Sequence, residues 1–170
     1  LAFSHPRLLE RDFTRLMTGI SQTLIHHETT LIGGHSSEGQ ETHVALVVNG
    51  VGSGRWPKSG LQHGDWLLLN KPLGSGILLA AGQQNIASTA ARTDLWQHLL
   101  ASNRDFFIAL QDHPVHAATD VTGFGLVGHL LEMVRQTDCK VVLDSAAVPL
   151  MVDALALSEQ GVQSSLWPQL

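Results

Sequence analysis

The sequence is poor in cysteine and in basic residues, and it lacks a long uninterrupted apolar stretch. Its single cysteine, Cys139, excludes an internal disulfide and fits a reducing compartment. The formal net charge is −5, and lysines and arginines form no run, which argues against a nucleic-acid or anionic-membrane surface. The most apolar stretch, residues 66–81, is interrupted by Asn70, Lys71 and Pro72, so we expect no membrane span.

The composition is that of a globular protein, with 170 residues of which 44% are hydrophobic and 15% charged. This length suffices for one ordinary domain or for parts of two, and it suffices to bury a core. No signal-peptide pattern is present, and we expect a cytoplasmic protein. Because the sequence begins with Leu1 rather than methionine, we also expect it to be a piece of something longer.

Hydrophobic periodicity predicts alternating helices and strands, and therefore a mixed α/β fold. Helices are expected at 7–27, 77–81, 92–110, from the glycines after residue 122 to about 136, and 152–158. Strands are expected at 44–48, 66–70, 115–118 and 140–143. A turn-rich stretch near residues 60–64 separates a hairpin-like first part from a helix-rich second part, and it is the predicted internal boundary.

Residues 117–132 carry the most informative pattern, in which an apolar run is followed by Thr119, Asp120 and Thr122 and then by three glycines. Apolar residues at helical spacing follow, at positions 127, 130, 131 and 134. Strand, glycine turn and helix in this order direct backbone N–H groups and a helix dipole at one point, where a phosphate can bind. Asp120 could hold Mg²⁺ beside that phosphate.

Two other interpretations of this pattern remain open. Gly123, Gly125 and Gly128 match the dinucleotide-binding fingerprint, and Asp144 follows the next apolar run. Asp120 argues against that interpretation, because a carboxylate near a pyrophosphate is unfavourable unless a metal lies between them. Alternatively, the glycines only allow close helix–strand packing and Asp120 caps the helix.

A second loop, residues 33–37, has the sequence Gly-Gly-His-Ser-Ser and offers backbone N–H groups, an imidazole and two hydroxyls. It is a candidate anion cradle, although most glycine–serine loops have no such function. Glu38 and Glu41 nearby are either acid–base groups or solvated surface carboxylates.

The remaining candidate groups have simpler interpretations. His129 and Glu132 lie one turn apart on a predicted helix, which indicates a hydrogen-bonded pair at the surface or between domains. Ten scattered histidines and one cysteine do not form the cluster that a zinc site needs. Cys139 opens a predicted strand, where we expect it to pack.

Three motifs together resemble selenophosphate synthetase (selenide, water dikinase), of the aminoimidazole ribonucleotide synthetase-like superfamily. They are Gly-Gly-His-Ser at 33–36 followed by Glu38 and Gly39, the stretch from Gly64 to Leu78 that contains Asn-Lys-Pro-Leu-Gly-Ser-Gly, and the stretch from Ala118 to Met133. They occur in the order that the family shows and cover most of the chain.

The resemblance implies a reaction in which selenide, ATP and water give selenophosphate, AMP and phosphate. It implies that Asp120 is a Mg²⁺ ligand near the nucleotide phosphates. It also implies that Gly34, His35 and Ser36 touch ATP bound mainly by the other subunit of a homodimer. The implied fold has two α/β parts: residues 1–63 would end the ATP-binding, dimerising first domain, and residues 64–170 would begin the second.

The chain departs from the family in its catalytic residues. The family's catalytic cysteine or selenocysteine, its partner lysine and several metal-binding aspartates belong to a segment expected upstream of Leu1, and Cys139 lies in the wrong motif to replace that cysteine. Because phosphoryl transfer depends on positioning and charge neutralisation, we expect this chain alone to be inactive. A non-catalytic nucleotide-binding or dimerisation module of the same fold, and an NAD-type domain, are the alternatives.

Overall fold

A computed structural model describes residues 9–37, 39, 42–52, 56–164 and 166 of the chain. The chain divides into two compact units, Leu1–Ser53 and Gly54–Leu170. The boundary predicted from the sequence, between residues 63 and 64, lies further along the chain. In the described part, no helix is both long and apolar enough to cross a membrane.

The first unit contains one long helix, α1, at Leu9–His26. It carries acidic residues in its first turn and a histidine in its last, which suits the helix dipole. The helix predicted at 7–27 is confirmed with a slightly earlier end, and residues 7 and 8 lie outside the described residues. The strand predicted at 44–48 is not formed, and its side chains are exposed on both faces.

The second unit is built from helices joined by turns and extended segments. They are α2 (Ser75–Gln83), α3 (Thr89–Leu100), α4 (Arg104–Leu110), α5 (Gly125–Val134) and α6 (Ala154–Glu159), and a 3-10 turn lies at Ser145–Ala147. The predictions of a helix near 77–81, of one ending near 136 and of one at 152–158 are confirmed with shifted ends. The 3-10 turn was not predicted; the Asp144 carboxylate caps it by accepting the Ala146 N–H.

The core of the second unit lies where α2 packs against α3 and α6. Leu78 of α2 is its most deeply buried large side chain among the described residues, with 1% of its surface exposed. Small residues at the contacts let the helices approach closely. The buried members of this cluster are Leu78, Ala80, Ala81, Ala87, Ala91, Leu95, Met151, Ala154, Leu157 and Val162.

The continuous helix predicted at 92–110 is interrupted after Leu100. Ala101 turns the backbone to an extended conformation, and the Ser102 hydroxyl accepts the N–H of Arg104, which starts α4. The Lys71 ammonium donates to the Ala101 carbonyl and so satisfies an acceptor at the end of α3. The first of the two helices, α3, buries Ala91 and Leu95 and leaves Trp96 exposed.

The predicted strands of the second unit are not formed among the described residues. Trp66 is 91% exposed and Val142 is 90% exposed, so neither stretch buries a face. Leu73 and Leu150 form an isolated parallel bridge. A strand requires a partner for a series of backbone hydrogen bonds, and no such series forms at these segments within the described part of the chain.

Candidate functional site

Asp120 ends an extended segment that begins near Val115, and its side chain is exposed to solvent. The segment is tied to the rest of the second unit by the Ala118 N–H, which donates to the Pro57 carbonyl at 2.9 Å. With the residues that the structure describes, the Asp120 carboxylate makes no hydrogen bond and no ion pair. It is therefore accessible to a ligand rather than committed to the fold.

The helix that follows, α5, begins at Gly125 and has Phe124 as its N-cap residue, with no side-chain capping hydrogen bond. Asp120 lies too far ahead to act as the cap, so the interpretation that it caps this helix was wrong. Gly125 has φ of +71°, a conformation that favours glycine. Its N–H donates to the Thr122 carbonyl at 2.9 Å, so this donor is used within the turn rather than presented to a ligand.

Gly128 lies close to the N-cap residue of its own helix, not against a strand as the packing interpretation expected. A Cβ at that position would lie 3.2 Å from the Cβ of Phe124, which is tighter than an ordinary contact. Close approach at Gly128 and backbone conformation at Gly125 are thus two different reasons for glycine in one motif.

The buried face of α5 differs from the predicted one. The predicted face included Val127 and Leu131, and both are exposed. The buried residues are His129, Leu130 and Met133, and of these only Leu130 belongs to the predicted face. His129, predicted to lie at the surface or between domains, is only 4% exposed and is the one buried polar or charged residue of the described part.

His129 contacts the glycine turn directly. Its Nε2 accepts the Thr122 N–H at 3.1 Å and lies 3.1 Å from the Thr122 hydroxyl. The Phe124 ring packs edge-on against the imidazole, with ring centroids 6.1 Å apart. The turn after Asp120 is therefore held by a side chain of the following helix.

Glu132 links this histidine to a more distant lysine. Its Oε2 lies 3.7 Å from His129 Nδ1 and accepts a hydrogen bond from Lys58 Nζ at 3.0 Å. The Lys58 ammonium keeps the pKa of the Glu132 carboxyl below its ordinary value. The predicted proximity of His129 and Glu132 is found, but their separation is longer than a hydrogen bond.

The loop of the first unit is open. Residues 33–37, including Gly34, His35 and Ser36, are exposed, and a Cβ added at Gly33 or Gly34 meets no atom within 4 Å. Glu38 and Glu41, the candidate acid–base groups, lie outside the described residues.

Metal-binding residues are sparse in the described part of the chain, where no group of three histidine, cysteine, aspartate or glutamate side chains is close enough to hold an ion. Asp120 is thus a single candidate oxygen ligand. Cys139, by contrast, is half-buried and donates from Sγ to the Leu61 carbonyl at 3.3 Å, in agreement with the prediction that it packs.

The chain is similar to known proteins over most of its length. Residues 62–162 match the family described as AIR synthase related protein, C-terminal domain. A protein of Pelobacter propionicus named selenide, water dikinase is 40% identical over 134 residues, which are 78% of this chain and 38% of that protein.

Two further relatives with the same name agree with this match. One from Nitratidesulfovibrio vulgaris (strain Miyazaki F) is 36% identical over 165 residues, or 95% of this chain and 47% of that protein. One from Pseudomonas straminea is 39% identical over 134 residues, or 78% of this chain and 38% of that protein. The chain thus spans less than half the length of these curated relatives. No solved structure matches it.

Proposed function

The chain belongs to the family of AIR synthase related proteins, and on that premise we propose that it is part of a selenide, water dikinase. Such an enzyme converts selenide, ATP and water into selenophosphate, AMP and phosphate. The observation that carries the proposal is that relatives of this name align with 78% to 95% of the chain. They also confirm the resemblance predicted from the three motifs.

In this proposal Asp120 is a Mg²⁺ ligand. Mg²⁺ is usually bound by one or two carboxylates together with substrate phosphates and waters, so a single exposed carboxylate fits it without a cluster of protein ligands. The ion would neutralise charge on the nucleotide phosphates. Asp120 supports the assignment because it is solvent-exposed and has no partner among the described residues.

The start of α5 is the proposed position of a phosphate. No side chain caps this helix, and its dipole favours an anion at that end. The Thr122 N–H already donates to His129, and the Gly125 N–H already donates to the Thr122 carbonyl. The donors available to a phosphate are therefore the other N–H groups of the first helical turn.

Gly34, His35 and Ser36 are proposed to touch ATP held mainly by the other subunit of a homodimer. Their exposure and the open space around Gly34 suit such a contact. The two-part α/β architecture, with residues 1–63 ending one domain and 64–170 beginning the next, is part of the same proposal, as are a cytoplasmic location and the absence of nucleic-acid and membrane partners.

The catalytic cysteine or selenocysteine and its lysine are proposed to lie upstream of Leu1. The coding sequence of the whole gene tests this directly. A glycine-rich loop with cysteine or selenocysteine ahead of Leu1 supports the enzyme. A gene without such a loop would instead identify a non-catalytic nucleotide-binding module.

Equilibrium binding by the protein that the whole gene encodes tests the site. We expect it to bind ATP in the presence of Mg²⁺, to lose that binding in EDTA, and to bind ATP more weakly after Asp120→Asn. Asp112→Asn is the matched control, because Asp112 is another exposed carboxylate of the same unit. Binding of NADH that survives EDTA would contradict the proposal and favour an NAD-type domain.

A further inference from the structure

The proposed ligand Asp120 makes no hydrogen bond through its own side chain within the described part of the chain, so something else must set its position. The turn that follows it is fixed at Thr122, two residues later, by His129. The His129 imidazole is 4% exposed, so this contact is shielded from competing water. The position of Asp120 therefore depends on a buried side chain that does not touch it.

The direction of this hydrogen bond defines the protonation of the ring. A backbone N–H can only donate, so Nε2 of His129 must accept and must carry a lone pair. The imidazole is then neutral, with its proton on Nδ1. In this tautomer Nε2 lies 3.1 Å from both the Thr122 nitrogen and the Thr122 hydroxyl, so two atoms of one residue converge on it.

The other ring nitrogen faces a carboxylate. Nδ1 is buried and has no hydrogen-bond partner within the described part of the chain, and Glu132 Oε2 lies 3.7 Å from it. Lys58 holds this carboxylate at 3.0 Å. A carboxylate on the far side of an imidazole favours the tautomer with the proton facing that carboxylate. Lys58, Glu132, His129 and Thr122 thus form one chain of contacts that ends at the turn after Asp120.

We infer that His129 is a positioning residue that holds the turn at residues 120–123 and thereby presents the Asp120 carboxylate to the metal ion. The inference rests on the proposed function, because it takes Asp120 to be the metal ligand. The alternative is that His129 only fills space beneath the turn. An apolar side chain of similar size would replace it in that case, whereas a positioning residue needs an acceptor at Nε2.

Three variants separate these two roles. His129→Leu keeps an apolar side chain but removes the acceptor, and His129→Gln restores an acceptor oxygen at about the reach of Nε2. Met133→Ala is the matched control, because Met133 is equally buried on α5 and belongs to a different turn. All three are made in the protein encoded by the whole gene.

The first measurement is the rate of hydrogen exchange of the Thr122 amide, detected by mass spectrometry of peptides that cover residues 118–124. We expect exchange about tenfold faster in His129→Leu, the factor that loss of one ordinary hydrogen bond produces. Exchange near that of the unmodified protein is expected in His129→Gln and Met133→Ala. Unchanged exchange in a folded His129→Leu protein, or equally fast exchange in Met133→Ala, would overturn the inference.

The second measurement is the affinity for Mn²⁺ in the presence of ATP, which electron paramagnetic resonance detects. We expect about 10- to 100-fold weaker binding in His129→Leu, the range for loss of a residue that orients a metal ligand, and recovery in His129→Gln. Equal Mn²⁺ affinity in His129→Leu and the unmodified protein would overturn the inference. If Asp120→Asn leaves Mn²⁺ binding unchanged, the proposed function fails instead, and the exchange experiment still decides whether His129 holds the turn.

Discussion

Asp65 and His116 form a close hydrogen-bonded contact in the second unit, with 2.8 Å between Asp65 Oδ1 and His116 Nδ1. The other oxygen of Asp65 accepts the Gln62 N–H at 2.9 Å. The hydrogen bond from Gln62 and that from His116 lower the pKa of the Asp65 carboxyl below its ordinary value of 3.8. The pair joins the turn at residues 57–65 to the extended segment that leads to Asp120.

This contact predicts a specific acid sensitivity. A carboxyl whose pKa is lower in the folded protein stabilises it above pH 3.8, and that contribution disappears as the pH falls through the folded-state value. We expect Asp65→Asn to lower the melting temperature near neutral pH and to flatten its decline as the pH falls below 3.8. Thermal unfolding followed by circular dichroism at a series of pH values measures this.

The control for that experiment is Asp112→Asn, which removes an exposed carboxylate without disturbing the contact of Asp65 with His116. It should keep the pH dependence of the unmodified chain. If the melting temperatures of Asp65→Asn and of the unmodified chain fall equally with decreasing pH, the contact contributes nothing to stability.

Gly74, at the start of α2, is required for two reasons at once. Its φ is +125°, and a Cβ at this position would lie 2.5 Å from the Cβ of Ala154 on α6. We expect Gly74→Ala to destabilise the chain by at least about 1–3 kcal/mol, the usual cost of such a backbone conformation for a residue with a side chain. Urea unfolding gives the free energy directly.

Gly82 provides the matched control within the same helix. A Cβ there meets nothing within 4 Å, and its φ is ordinary. Gly82→Ala should therefore be stabilising by up to about 1 kcal/mol, because alanine is the better helix former. We expect the two substitutions to change the free energy of unfolding in opposite directions. A change in the same direction would contradict the assigned packing of α2 on α6.

Leu78 and Leu79 are neighbours with opposite environments. Leu78 is 1% exposed in the core between α2, α3 and α6, whereas Leu79 is 45% exposed. Leu78→Ala is expected to cost about 2–5 kcal/mol of unfolding free energy, from lost burial and the cavity that remains. Leu79→Ala should cost about 0.5 kcal/mol or less. Similar urea midpoints for the two variants would show that the buried face of α2 is assigned wrongly.

The helices were predictable from the sequence because they depend on local periodicity. Residues 9–26 repeat apolar side chains at helical spacing, and this segment is helical. The strands were not predictable in this way, because strand pairing depends on a second segment that the local sequence pattern does not contain. Trp66 and Val142 lie in runs typical of strands, yet the structure leaves both exposed.

The candidate site was also predictable only in part from the sequence. The exposed Asp120 and the helix after the glycines follow from the motif, whereas the burial of His129 was missed. The available signal was spacing: His129 lies three residues after Leu126 and four before Met133, which are same-face intervals of a helix, and His129 and Met133 are both buried. A polar residue on an otherwise apolar face is easily assigned to the surface, because only the packed structure shows what it contacts.

Phosphorus NMR of the reaction mixture tests the central claim most directly. The protein encoded by the whole gene, given selenide, ATP and Mg²⁺, is expected to form selenophosphate, AMP and phosphate. Asp120→Asn should reduce the rate by at least about 10- to 100-fold, the range seen when residues around a metal are altered, whereas Asp112→Asn should not. The 170-residue chain alone should form no product. Selenophosphate formation by that chain alone, or an undiminished rate in Asp120→Asn, would contradict the account.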